Sequence, residues 1–448
     1  MLSTSGILGY GYAEESLRIG MSWNPHVIGC DGGSTDPGPY YLGSGKSFTS
    51  RLSVKRDLRL MLQAAVAAKI PCIIGTSGGS GGEPHLQDTA ALVREIARED
   101  GLSFPMALIH SEQDKASLIA RVERGATRPL AKLPPLDRAT IERAERIVGM
   151  MGPEPIARAL DQGAQVILAG RSSDPAQWAA PAMRAGMPAA PSWYAGKMLE
   201  CGAEPSVPKE PDNIFVWVRD DHIVCEPPNP IRRSTPLAVA NFALHENSSP
   251  IHHTEPGGLL DTSECRFEAI SDRSVKISGM TWLDAAEYTI KLEGVERAGY
   301  RTITICGTRD PVLIGQIDDY LSVHREKVAA KAASFGVPPS DYTMVVRTYG
   351  KDGVMAGWEP ERTIRAHELG FIIEVVGKTQ DIANAVLAMA RTSMLHADFP
   401  GRLCREGNMA FPFSPSDIEM GPLFRFSIFH VVTPNDPFEM FPIEHEAV

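Results

Sequence analysis

Between Ile70 and Asp100 the chain reads as an apolar strand (IPCII), a glycine-rich loop (GTSGGSGGEP) and a helix (HLQDTAALVREIARED). Gly75 to Gly82 holds five glycines and two serines, so the loop's N–H groups are free of side-chain crowding. Set between a strand and a helix, such a loop can close around a carboxylate or phosphate, helped by the positive end of the helix dipole. The segment restricts the chain to α/β folds. It points to an enzyme that holds an anionic small molecule through Ser77, Gly78, Gly79, Ser80, Gly81 and Gly82. No Walker lysine follows, so the loop is not a nucleotide-hydrolysing one. Neither serine has a G-x-S-x-G context, which argues against a serine nucleophile. The bland reading of the same glycines is close packing.

The first 190 or so residues alternate strand and helix signals. GILGY leads to a helix over 13–21, HVIGC to one near 54–69, CIIGT to 86–100 and FPMALIH to 113–123. Two helical stretches over 139–150 and 155–163 precede the strand AQVILAG. This alternation predicts a mostly parallel sheet flanked by helices, with ligand sites at the carboxyl ends of its strands. From 203 the segments become shorter and punctuated by proline. From Glu287 four strands and two helices suggest a smaller α+β, ferredoxin-like region. The expected organisation is an α/β domain over 1–202, a β-rich connection over 203–285, and the ferredoxin-like domain with a C-terminal tail over 286–448. FRFSIFHVV reads as one more strand, and the residues after it as a loop packed on the body.

At 448 residues the chain is too long for one ordinary core. Its net charge of −11, without a block of like charges, argues against nucleic acid as a partner. No apolar run approaches the roughly 18 residues of a membrane span. The N-terminal segment lacks a basic region and a cleavage site, so a cytoplasmic location is expected. Seven cysteines, odd in number and with no C-x-x-C pair, make a disulfide framework or structural zinc improbable. Cys72 and Cys306, inside apolar strands, read as buried small hydrophobes.

Several constellations offer chemistry. Gly9-Tyr10-Gly11 with Asp31 is half of a dinucleotide fingerprint, but Glu14 stands where a third small residue is needed and would repel a pyrophosphate. The loop Gly29–Gly45 places Asp31, Asp36 and Tyr40 at a strand's carboxyl end. The two aspartates suit a divalent cation or a base with its orienter; they are also plain turn formers. Arg171 can pair bidentately with a substrate carboxylate, and Asp174 can orient it or cap the next helix. Lys197 and Glu200 share a helix face, as a buried base or as a surface pair. His252, His253 and Glu255 resemble a metal cluster, but adjacent histidines on a strand point to opposite faces, so only one can join Glu255, and no third ligand stands at a defined spacing. The run 348–361, with Lys351, is either a lid that brings cations to an anion site or a polar hairpin.

The order of these motifs, GYGYA, GCDGGSTDPGPYY, RDLRLMLQAAVAAKIPCIIGTSGG, ILAGRSSDPAQWAAP, YAGKMLECG, LHENSSPIHHTEPGG, YTIKLEG and GYRTITICGTRDP, resembles the family named for acyclic terpene utilisation, AtuA. The resemblance runs from about residue 5 to 430. It implies an N-terminal α/β core with a smaller ferredoxin-like region, a catabolic setting for branched or carboxylated acids, and a small companion protein. Lys197 stands where many members carry histidine, and AEPSVPKEP replaces a glycine-rich stretch.

The expected function is that of a lyase, a hydratase or dehydratase acting on a small carboxylic acid or its thioester. Asp31 or Asp36 would take a proton alpha to the carboxylate, and Tyr40 or Lys197 would assist the leaving hydroxyl. No specific cofactor is implied beyond a divalent cation at the aspartates, and a homo-oligomer is expected. The alternatives are an acyl-CoA hydrolase or transferase and a non-catalytic binding subunit.

Overall fold

Strands that are buried at nearly every position need cover on both faces, and the centre of the first sheet is built from such strands. The computed structural model describes residues 1–130, 132–403 and 405–448; Cys404 therefore lies outside the described residues. The chain divides into two compact units, Met1–Glu296 with Phe426–Val448, and Arg297–Arg425.

The first unit carries a ten-stranded mixed sheet. Its centre is five parallel strands in the order Leu2–Ser3, Ile28–Asp31, Cys72–Gly75, Val166–Ala169 and Pro105–Ile109. Cys72 and Ile74 face the helices Arg51–Ala68 and Glu83–Asp100, while Ile73 between them faces the cluster around the helix Pro153–Asp161. Antiparallel strands extend both edges. Ile214–Val218, His222–Glu226, Val275–Ser278 and Arg266–Ala269 follow beyond Leu2–Ser3, and Ile443–Ala447 pairs with Pro105–Ile109. The segment 203–285 thus supplies strands to this same sheet, and the C-terminal tail ends as an edge strand where a loop was expected. Other segments depart from expectation too. The strand expected at GILGY is Leu2–Ser3, because Gly9 and Gly11 turn the chain at positive φ and donate to Asp57 Oδ2, both at 3.0 Å. The helix expected over 139–150 stops at Arg143. Ala144–Met150 is a strand, paired with Lys291–Glu296 in the strand Ile290–Thr308.

In the second unit, Tyr300–Thr308 pairs antiparallel with Leu369–Gly377, which pairs in turn with Tyr342–Tyr349. Leu321 and Val328 of the helix Ile317–Ser334, and Val386 and Leu387 of Gln380–His396, share one core with Phe371, Ile373 and Val375 of the sheet. Among the described residues no helix is long and apolar enough to cross a membrane.

Candidate functional site

The parallel strands deliver their carboxyl ends to one edge of the sheet, and the loops that leave it lie directly on one another. Gly32 N donates to Gly75 O at 2.7 Å, Ser111 Oγ to Gly81 O at 2.7 Å, and Arg171 N to Ser111 Oγ at 2.6 Å. Glycine is what allows this approach. A Cβ on Gly81 (φ +67°) would stand 2.1 Å from Arg171 N, and one on Gly32 2.4 Å from the Thr76 carbonyl. Gly78 and Gly79 lie against His85 and Phe48, and Gly82 precedes the helix Glu83–Asp100. Much of the glycine content thus serves loop-on-loop packing. Ser77 and Ser80, fully buried in the same loop, keep hydroxyls with no hydrogen-bond partner among the described residues, and Thr76 is held in the left-handed region at φ 41°. Unpaired buried hydroxyls and a strained β-branched residue are concentrated at functional sites in proteins.

Arg171 enters this site already paired. Its Nε donates to Glu293 Oε2 at 2.9 Å, and its Nη1 to Asp174 Oδ1 at 3.0 Å and Thr76 Oγ1 at 3.3 Å. Burial opposes the guanidinium charge, but Glu293 and Asp174 outweigh it and raise the pKa further. Burial likewise works to raise the Glu293 carboxyl, yet Arg171 and Lys291 bring it down to about 2. The first amide of the helix Glu83–Asp100 is also occupied, since Glu83 N donates to Glu112 Oε2 at 2.8 Å. The cationic groups expected to grip a substrate anion are therefore largely answered by the protein's own carboxylates.

Around Arg171 the balance is acidic. Asp31, 5 % exposed at the end of its strand, is pushed well above the usual carboxylate range by burial and by Asp174, against the pull of Arg171. Asp174 is raised by burial, with Asp36 adding and Arg171 opposing. On the helix Ala189–Leu199, Lys197 is buried and pairs with Glu200 Oε1 at 2.5 Å while donating to His245 O at 2.7 Å. Burial raises Glu200 to about 8; Lys197 resists, and Asp174 and Glu255 reinforce the rise. Glu255 is raised to about 7, first by burial, with its hydrogen bond from Ser173 Oγ opposing and Asp174 adding. At neutral pH this cluster keeps part of its carboxyl population protonated, as proton-transfer sites require.

Asp31, Asp36, Arg171, Asp174 and Lys197, each singled out from the sequence, thus fall within one electrostatic neighbourhood. Asp36 is exposed on its loop. Tyr40, half-buried on the short helix Pro39–Ser44, stacks edge-on against Tyr41 at 5.5 Å. Sequence reasoning missed Glu293 and Ser173, and it considered Glu255 only as a metal ligand. For Glu293 the readable signal is Lys291-x-Glu293 on one strand face. Among the described residues no three His, Cys, Asp or Glu side chains are arranged to hold a metal ion. His253 is buried and His252 exposed, as their alternation requires.

No curated protein and no solved structure matches the chain. Residues 50–205 do match the sequence model described as "Acyclic terpene utilisation family protein AtuA". The match takes in the glycine-rich loop, the Arg171–Asp174 turn and the Lys197–Glu200 pair, and it stops short of Glu255 and Glu293. Over residues 50–205, then, this chain is similar to the acyclic terpene utilisation family.

Proposed function

We propose that the chain is a carbon–oxygen lyase, a hydratase or dehydratase acting on a small acid held as its thioester. The observation that carries the reading is the gathering of Asp31, Asp174, Glu200 and Glu255 around Arg171 and Lys197, at the carboxyl edge of a parallel sheet. Removing water from a 3-hydroxyacyl group needs a base for the proton alpha to the carbonyl and an acid for the leaving hydroxyl. Carboxyls whose environments drive their pKa values apart supply both from one residue type. In this reading Glu255, titrating at about 7, gives its proton to the hydroxyl. Asp31 or Asp36 takes the alpha proton, Lys197 and Tyr40 orient the hydroxyl, and the Ser77–Gly82 loop receives the carbonyl oxygen. The acidic surroundings favour a thioester, uncharged at its reacting end, over a free carboxylate that they would repel. The family's name supports a catabolic setting. For the second unit we propose a ferredoxin-like topology. It is supported by the chain order strand, helix, strand, strand, helix, strand, and by Tyr342–Tyr349, Leu369–Gly377, Ile290–Thr308 and Asp417–Val432 lying side by side in that order.

The test is turnover of a panel of 3-hydroxyacyl and 2-enoyl thioesters, with the matching free acids, by the purified full chain. Glu255→Gln should melt no lower than the parent chain and lower kcat by about 100-fold or more. Release of free thiol in place of enoyl interconversion would instead support thioester hydrolysis. Unchanged turnover in Glu255→Gln would remove the assignment.

A further inference from the structure

The run 348–361, left between lid and hairpin by its sequence, leads into residues 362–367, which line a cleft in the second unit. The cleft encloses about 690 Å3 and is lined by Arg309, Ile314, Asp318, Arg362, Ile364 and His367, among others. Its size is that of a small-molecule site, and Ile314 and Ile364 supply an apolar part of its lining. Lys351 pins the loop to the helix Ile317–Ser334 through an ion pair with Asp318 at 2.9 Å. The same ammonium also pairs with Asp352 at 2.6 Å, so it draws the one acid of the described lining away from the arginines. The acids next in sequence to the two arginines are engaged as well. Asp310 Oδ1 caps the turn at Pro311–Ile314, accepting from Val312 N at 2.8 Å, and Glu361 pairs with Arg365 at 2.9 Å. Arg309 and Arg362 have no carboxylate partner among the described residues, and His367 lies exposed beside them. The lining thus sets two arginines against one aspartate in a chain of net charge −11.

We propose that this cleft binds the diphosphate group of a small molecule. Two guanidinium forks, Arg309 from the end of the strand Ile290–Thr308 and Arg362 from the loop, suit two phosphoryl groups, each held bidentately. The body of the molecule rests on Ile314 and Ile364. Diphosphate reaches such a site either free or carried on a nucleoside, and the two sources separate by affinity.

Calorimetric titration of the full chain at low salt, with pyrophosphate, ADP and inorganic phosphate as probes, tests this. Pyrophosphate and ADP should bind more tightly than phosphate, and added salt should weaken both. Tighter binding of ADP assigns the group to a nucleotide; equal binding assigns it to free diphosphate. Arg309→Glu and Arg362→Glu should each lower affinity by about tenfold or more. Arg325→Glu, the same charge change on an exposed face of the helix Ile317–Ser334, should leave it unchanged. Arg309→Gln and Arg362→Gln, with melting curves, guard against misfolding. No binding of pyrophosphate or ADP at millimolar concentration, phosphate binding as well as pyrophosphate, or full affinity in both reversed variants would overturn the proposal.

Discussion

Two buried ion pairs sit in the candidate site, and they behave in opposite ways. Glu293 lies between two cations, Arg171 and Lys291, and its carboxyl falls to about 2. Glu200 has one cation, Lys197, and faces Asp174 and Glu255, so its carboxyl rises to about 8. Both acids are nearly inaccessible to water. Burial therefore does not decide the outcome; the number and sign of neighbouring charges does. The first pair is a fixed structural pin that joins the Arg171 loop to the strand Ile290–Thr308. The second holds a proton it can lose near neutral pH, which is what a proton-transfer site needs.

The largest effect should come from breaking the pin. Glu293→Ala leaves Arg171 buried with one carboxylate fewer, and a broken buried pair costs about 3–5 kcal/mol. Denaturant unfolding should show that loss, and no more than a surface-sized change would erase the contrast between the pairs. Lys197→Met should cost less, about 1–3 kcal/mol, because Glu200 can stay protonated once its cation is gone. The same unfolding assay, compared between the two variants, sharpens or removes the distinction.

The smallest effects lie in the pH dependence, where the two acids have opposite signs. A depressed carboxyl stabilises the fold above its unfolded value, so the contribution of Glu293 is present above about 4.5 and lost as pH falls towards 2. Raised carboxyls do the reverse. The contributions of Glu255 and Glu200 are full below about 4.5 and decline as pH rises through about 7 and about 8. Melting temperature followed across pH in Glu255→Gln should decline less between pH 5 and 8 than in the parent chain. An identical profile would mean that Glu255 titrates normally.

How much of this could be read beforehand divides along the same line. Asp31, Arg171 and Asp174 were legible because they stand at or just after the ends of strands, whose carboxyl ends in such a sheet gather at one edge. Arg171 was read as a free clamp because its partner Glu293 is 122 residues away and meets it only through strand pairing. The same pairing hid the strand Ala144–Met150, whose alanine, arginine and glutamate favour a helix when considered locally. Glycines were visible, but their use was not. A Cβ on Gly81 is excluded by the Arg171 backbone, a contact between loops that begin at different strands.

The central claim is that a carboxyl in this cluster carries an exchangeable proton at neutral pH, and carboxyl-region infrared difference spectroscopy of the parent chain against Glu255→Gln measures it directly. The account predicts a protonated-carboxyl band that is present at pH 5, is bleached through about pH 7, and is missing from the variant. A parent spectrum in which no carboxyl band titrates above pH 5 would contradict it.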